Sequence, residues 1–165
     1  MSMTLICPDI ETDSPLWDEM SDAEALAERA IEAASRRFDG KLFNGAEVSI
    51  LLSDNNHVRE VNHEWRALDK PTNVLSFPAV EPDKINKAAF LGDIILAYET
   101  IAEEAKTEGK SFADHYTHLV IHGFLHLLGY DHDTEEKAEL MENLEIAILA
   151  DLNIPNPYSD QPIRL

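Results

Sequence analysis

The chain has little of what secreted and membrane-bound proteins need. Cys7 is the one cysteine among 165 residues, so no internal disulfide can form, which favours a reducing compartment. The longest apolar stretch, residues 119–128, contains two histidines and is too short to span a bilayer. No lysine or arginine precedes Arg29, although a secretory signal begins with basic residues. We therefore expect a protein of the cytoplasm that has no membrane association.

Linkers and repeats are missing too. The sequence has no Gly/Ser-rich stretch and no internal repeat, and its hydrophobic fraction of 44% is enough for one core. We predict a single domain over residues 1–165, in which residues 152–165, with three prolines, form an irregular tail.

Basic residues are scarce relative to acidic ones. The chain has 13 Lys and Arg against 32 Asp and Glu, and the resulting net charge of −19 repels polyanions. Residues 1–28 hold eight acidic and no basic side chains, and residues 131–165 hold nine and two, whereas residues 41–110 hold twelve and eight. We expect the acidic ends to be solvated surface and any site for an anion to lie in the middle of the chain.

Hydrophobic periodicity and capping signals predict an α/β (α+β) protein, with a mixed sheet of about four strands packed with about five helices. The predicted strands are 4–7, 46–52, 72–77 and 91–97. The predicted helices are about 21–38, 54–65, 98–106, 112–128 and 134–150. A capping box at Ser21 begins the first helix, and Asp54 caps the second. A proline-containing loop is expected between the last two strands.

The most informative segment is residues 122–132, which holds three of the seven histidines. In a helix, His122 and His126 project from one face. Gly129 is the residue type that ends a helix in the left-handed conformation, after which His132 folds back. Three ring nitrogens leave a fourth tetrahedral position for water, which is the ligand count of a catalytic zinc site. We predict such a metal site at the helix C-terminus, with nickel, copper or iron as other possible metals. The alternative is a group of polar histidines at a helix end.

The residue after the first histidine separates this motif from a protease motif. The same histidine spacing occurs in the metzincin proteases, where a glutamate at this position acts as general base. Here the position is Gly123, which removes that proton acceptor and is expected to open space beside the metal. The alternative role for Gly123 is to let another element pack close to the helix.

Residues 122–132 resemble the His-Gly-x-Leu-His-Leu-x-Gly-Tyr-Asp-His signature of the YbeY family of endoribonucleases and rRNA maturation factors. Residues 62–66, 69–78 and 91–94 are similar to the other motifs of that family. The resemblance therefore covers most of residues 48–133. Within it, Asn73 stands where the family usually has an aspartate.

The resemblance implies a metal-dependent cytoplasmic enzyme that processes the 3′ end of small-subunit rRNA and takes part in ribosome quality control. It also implies that His122, His126 and His132 are the zinc ligands, with one ion per chain. Arg59 corresponds to the arginine that the family is thought to use at its active site.

The residues around Arg59 give an independent reason to consider it. On the helix that Asp54 begins, no acidic residue lies three or four positions from Arg59, which leaves its guanidinium free for a phosphate. Arg66 is predicted to bind substrate but ranks lower, because Asp69 lies three positions away. The alternative for Arg59 is an ordinary surface arginine, or one paired with an acid distant in sequence.

Two more residues are predicted at the periphery of the site. His118 lies one helical turn before His122, and it is a candidate fourth ligand, hydrogen-bond partner of a ligand or proton shuttle. The alternative is a histidine that is merely packed or hydrated. Asp131 is a candidate acceptor for a ring N–H, which would fix the tautomer of a ligand.

Three functions follow as hypotheses. The leading one is a zinc-dependent, single-strand endoribonuclease in rRNA maturation, in which Arg59 and the metal stabilise charge on the phosphoryl oxygens. Its partners, on the family resemblance, are single-stranded RNA and the ribosome or a ribosome-associated protein. The second is a metallopeptidase-like hydrolase with metzincin spacing. The third is a non-catalytic ribosome assembly factor with a zinc site, whose acidity would require a partner protein to bring it to RNA.

Overall fold

The protein folds around one mixed four-stranded sheet in a computed structural model that describes residues 5–158. The strands are β1 (Ile6–Thr12), β2 (Ala46–Ser53), β3 (Val74–Pro78) and β4 (Phe90–Ala97). The helices are α1 (Ala23–Arg36), α2 (Asn55–Arg66), α3 (Tyr98–Glu108), α4 (Phe112–Leu127) and α5 (Glu135–Asp151). This order and the mixed sheet confirm the predicted fold class.

The order of strands in the sheet is β1-β2-β4-β3. β1 and β4 both run parallel to β2, whereas β3 runs antiparallel to β4. Crossover helices α1 and α2 account for the parallel pairs, since a parallel neighbour cannot be reached through a tight turn. The chain passes from β3 to β4 without a helix of that kind, so the two strands pair antiparallel.

The two faces of the sheet are covered by different helices. Alternate side chains of β3 point to opposite faces. Val74 and Ser76 face α4, where they come within reach of Gly123. Leu75 is on the other face, in a small buried cluster with Val58 of α2. The sheet is therefore enclosed by α4 on one face and partly covered by α2 on the other.

The main core lies between the sheet, α1, α4 and α5. Fully buried side chains come from β2 and β4 and from α4, and they form one continuous cluster: Val48, Ile50, Leu52, Leu91, Ile94, Leu96, Val120, Ile121, Phe124 and Leu125. α4 is the most deeply enclosed helix, which fixes the direction of the polar side chains that it also carries.

Some local expectations were wrong or incomplete. The capping box at Ser21 does not form, because Asp22 is the N-cap of α1 and makes no side-chain capping hydrogen bond. β1 extends to Thr12, well beyond the predicted Cys7. Pro82–Lys87, predicted as loop, forms a 3-10 helix, as does Pro15–Glu19. The predicted cap at Asp54 is confirmed, since its side chain accepts a hydrogen bond from the backbone N–H of His57.

The two ends of the chain are only partly described. Thr4 of the first predicted strand and residues 159–165 of the predicted tail lie outside the described residues. Residues 152–158 carry turns and no regular helix or strand. Within residues 5–158, no helix is both long enough and apolar enough to cross a membrane.

Candidate metal centre

The last turn of α4 and the loop beyond it bring three histidines together. α4 ends at Leu127, and Gly129 then adopts a φ of +102°, in the region predicted for it. A Cβ at this glycine would lie 2.6 Å from Cγ of Pro82, so both its conformation and its surroundings require glycine. The chain reverses there and returns His132 towards the helix end.

The rings of the three histidines form a compact triangle. Ring centroids are 4.5 Å apart for His122 and His126, 5.3 Å for His126 and His132, and 5.9 Å for His122 and His132. The Nε2 atoms of His122 and His126 are 3.0 Å apart. The structure therefore brings together the three residues that the motif predicts as ligands.

Hydrogen bonds decide which ring nitrogens are free. His126 Nδ1 donates to the carbonyl oxygen of Tyr130 at 2.9 Å, and His122 Nδ1 donates to Oε2 of Glu145 at 3.1 Å. Because both acceptors lack a hydrogen to give, each neutral ring carries its proton on Nδ1 and a lone pair on Nε2. The two lone pairs approach each other within 3.0 Å, an unfavourable arrangement that a cation held by both nitrogens would relieve. The residues present therefore fit a metal ion.

The protonation state of His126 agrees with this role. Burial and the neighbouring His122 lower the pKa of His126 to about 4, although its hydrogen bond to Tyr130 acts in the opposite direction. His126 is therefore neutral at physiological pH, as a metal ligand must be.

His132 and Asp131 form the exposed side of the triangle. The His132 side chain is 62% exposed, and Oδ1 of Asp131 accepts a hydrogen bond from its backbone N–H at 2.7 Å. The same carboxylate oxygen is 3.4 Å from Nδ1 of His132. Potential ligand atoms of His126, Asp131 and His132 all lie within 4.8 Å of one another. Asp131 therefore lies beside His132, among the groups that could hold an ion.

The histidine triangle opens into a cleft of about 580 Å³. Its other lining residues come from the C-terminal part of α2, from the loop that follows α2 and from β3, and they include Asn62, Arg66, Leu68, Lys70, Thr72, Asn73, Val74 and Ser76. Two of these side chains, Arg66 and Lys70, are cationic. The cleft thus brings two positively charged side chains into the same cavity as the histidines.

The two arginines of α2 are placed differently from the prediction. Arg59 Nε and Nη2 donate to the two carboxylate oxygens of Asp69 at 2.7 and 3.1 Å, and Arg59 does not line the cleft. The expectation of a guanidinium free for phosphate is therefore wrong, and the alternative of pairing with an acid distant in sequence is correct. Arg66, ranked lower because of Asp69, lines the cleft, with its guanidinium carbon 5.7 Å from the ring centre of Phe77.

Gly123 points at the sheet and does not line the cleft. A Cβ there would lie 3.0 Å from Cγ2 of Ile94 and 3.1 Å from Oγ of Ser76. The expectation that Gly123 opens space beside the metal is wrong, and its alternative role in close packing is correct. A glutamate base, as in a metzincin, has no room at this position.

His118 is buried behind the triangle with a partner that the sequence did not suggest. Its Nε2 donates to Oε1 of Glu145, whose Oε2 accepts from His122, and the hydroxyl of Tyr158 donates to the same Oε1 at 2.7 Å. Glu145 is only 1% exposed. Its position on the stripe of α5 that also buries Met141, Ile148 and Leu149 is the signal that could have identified it.

The mixed sheet and the histidine cluster define a class, a single-domain α/β protein with a candidate metal centre at the end of one helix. The sequence model of the family described as Endoribonuclease YbeY matches residues 11–153. The chain belongs to that family. Neither the metallopeptidase alternative nor the non-catalytic assembly-factor alternative is supported.

Individual relatives agree with the family. The chain is 53% identical over 148 residues to an Endoribonuclease YbeY of Rhodopseudomonas palustris strain BisA53, covering 88% of this chain and 86% of the relative. It is 49% identical over 150 residues to that of Bradyrhizobium diazoefficiens, covering 88% and 81%. The solution structure of TM1509 from Thermotoga maritima superposes with a TM-score of 0.57 at 25% identity, covering 97% of this chain and all of that one.

Proposed function

We propose that the protein cleaves single-stranded RNA during maturation of the small-subunit rRNA 3′ end, with the cleft as the active site and a zinc ion held by His122, His126 and His132. Membership of the Endoribonuclease YbeY family supports an enzyme that hydrolyses RNA in rRNA processing. The observation that carries the assignment of the site is the pair of Nε2 atoms with free lone pairs, 3.0 Å apart, in a cleft that two cationic side chains also line.

Zinc is proposed because the donor set consists of neutral imidazoles, which suit a four-coordinate zinc site with one open position. When bound, a zinc ion supplies Lewis acidity and makes a coordinated water more acidic. Tyr130 and Glu145 hold the rings of His126 and His122 in the tautomers that leave Nε2 free. Asp131 restrains the exposed His132 at the mouth of the cleft.

The two cationic residues of the cleft, Arg66 and Lys70, here called the cationic wall, are proposed to bind the RNA backbone. Arg66 and Lys70 line the same cleft as the histidines, where they can bind the phosphates on either side of the bond that is cut. A role for Arg59 in catalysis remains a prediction. Because its guanidinium is bound by Asp69 in the loop that also carries Lys70, Arg59 either positions that loop or must exchange its partner to reach a phosphate.

Ribosomal partners and a cytoplasmic location complete the proposal. The net charge of −19 repels RNA at long range, so a ribosome-associated protein is proposed to bring the cleft to its substrate. The cytoplasm is proposed because rRNA maturation takes place on ribosomal particles there.

The test is cleavage of a 5′-labelled RNA that spans the 3′ end of small-subunit rRNA, with the zinc content of each sample measured by elemental analysis. Wild-type protein is expected to contain about one zinc per chain and to cut the single-stranded region. His126→Ala removes one of the facing donors and is expected to lose both the zinc and at least about 100-fold of the rate.

His63→Ala is the matched control, because His63 is an exposed histidine of α2 that does not line the cleft. It should retain zinc and activity. Equal cleavage by wild type and His126→Ala would refute the proposed site.

A further inference from the structure

A buried carboxylate of α5 contacts the candidate metal centre from behind. Glu145 is 1% exposed, although carboxylates are rarely buried so completely without partners. Its two oxygens accept hydrogen bonds from three side chains, which are His118, His122 and Tyr158. These three hydrogen bonds therefore offset the free energy cost of burying the Glu145 carboxylate. One of the three donors, His122, is a candidate metal ligand.

Three donors converge on the carboxylate of Glu145, namely two ring N–H groups and one hydroxyl. A hydrogen bond to a carboxylate is stronger than one to a neutral acceptor.

The contact between Glu145 and His122 determines which ring nitrogen of His122 carries the proton. Since Oε2 of Glu145 lies 3.1 Å from Nδ1 of His122, the ring proton sits on Nδ1 and the lone pair on Nε2 points towards His126. Without an acceptor at Nδ1, a free imidazole exchanges its proton between both nitrogens and rotates. An imidazole protonated on Nε2 has its lone pair on Nδ1 and offers no donor on the side that faces His126.

We propose that Glu145 is a positioning residue, which fixes the tautomer and the ring orientation of His122 and thereby sets the affinity of the histidine triangle for its metal ion. The inference rests on the proposed function as far as the ion is concerned. The Tyr158 hydroxyl and His118 both donate hydrogen bonds to Oε1 of Glu145. They thereby hold the carboxylate in the orientation in which Oε2 accepts from His122.

The test compares Glu145→Gln and Glu145→Met with Glu139→Gln, which removes the same charge from an exposed position of α5. Zinc affinity is measured by competition with a chromophoric chelator. The tautomer of His122 is measured in the metal-free proteins by long-range ¹H–¹⁵N NMR, with the signal assigned by comparison with His122→Gln.

Glu145→Gln is expected to weaken zinc binding about 10- to 100-fold, because its side chain keeps one acceptor oxygen and has an NH2 donor in place of the other, so that it cannot accept from His118, Tyr158 and His122 as the carboxylate does. Glu145→Met has no acceptor and is expected to weaken it more, whereas Glu139→Gln should match wild type. In the metal-free proteins, the population of His122 protonated on Nε2 should rise in the same order. Gln is isosteric with Glu, so at least Glu145→Gln is expected to fold.

Unchanged zinc affinity and an unchanged His122 spectrum in a folded Glu145 variant would overturn the inference. If wild type itself binds no zinc, the proposed metal centre fails, and the NMR comparison alone decides the inference about His122. A shift of its tautomer in Glu145→Gln would still support the positioning role, and no shift would refute it.

Discussion

The histidines of α4 lie in one row but in two environments. At the N-terminal end of the row, His115 and His118 are 5% and 8% exposed, and their Nε2 atoms bind the carboxylates of Glu104 and Glu145. At the C-terminal end, His126 gives its Nδ1 to a backbone carbonyl and leaves Nε2 facing a cleft. The same residue type at helical spacing therefore serves packing at one end and offers a free donor at the other. The hydrogen-bond partner of each ring makes the difference.

The largest expected effect on stability is that of metal removal. It should depend only on the C-terminal end of the histidine row, called the open end below, where His126 leaves Nε2 facing the cleft. If free zinc is about 1,000 times its Kd, chelation lowers the free energy of unfolding by about 4 kcal/mol, which corresponds to about 10 °C in Tm for a chain of this size. Calorimetry with and without chelator measures the shift. His115→Ala should retain it and His126→Ala should lose it, and an equal shift in both would break the distinction between the two ends.

A smaller effect on stability is expected from a mutation at the N-terminal end of the row, where the histidines are paired with carboxylates. His115→Ala leaves Glu104, which accepts from His115 at 2.9 Å, without its main partner, and it opens space in a buried region. We expect the free energy of unfolding to fall by about 1–3 kcal/mol while the zinc content stays unchanged. Urea denaturation and elemental analysis of the same samples measure the two quantities. Loss of zinc with normal stability would show that His115 belongs functionally to the open end.

The smallest effect concerns the two arginines of α2, of which Arg59 is paired with a carboxylate whereas Arg66 lines the cleft. Arg66→Ala is expected to weaken binding of a short single-stranded RNA about tenfold and to reduce the salt dependence by about 0.7, the slope for one phosphate contact. Arg59→Ala should have less effect on binding, because Asp69 already occupies its guanidinium. Fluorescence anisotropy over a range of salt concentrations measures RNA binding by both variants. A larger loss of affinity in Arg59→Ala than in Arg66→Ala would show that Arg59 contacts the RNA.

The fold and the histidine triangle could be predicted because their signals are local. Four-residue spacing within a helix and a glycine after it place His122, His126 and His132 without knowledge of the remaining chain. The order of strands and helices follows from alternation and capping signals of the same short range. β1 was underestimated because it is an edge strand whose exposed positions, such as Asp9 and Glu11, are acidic and dilute the apolar pattern.

The cleft wall and the buried carboxylate could not be predicted in the same way. Arg59 meets Asp69 because the chain reverses at Ala67, which has a φ of 56° and is not a residue type that announces a left-handed turn. Glu145 meets His122 because α5 packs across α4, a contact set by the tertiary structure. Sequence spacing along one helix therefore did not reveal the pairing of Arg59 with Asp69 and gave no partner to His118.

The close spacing of the histidine triangle along the chain has a consequence for how the molecule folds. Its three rings come from eleven consecutive residues, whereas Arg66 and Lys70 precede the first of them by more than fifty. Closing a loop of about ten residues takes about 10–100 ns, but the cationic wall requires β3 to pair with β4 and to dock on α4, which are contacts of high sequence separation. We therefore expect the three histidine rings to come together early in refolding. The cationic wall should join them in the cleft later.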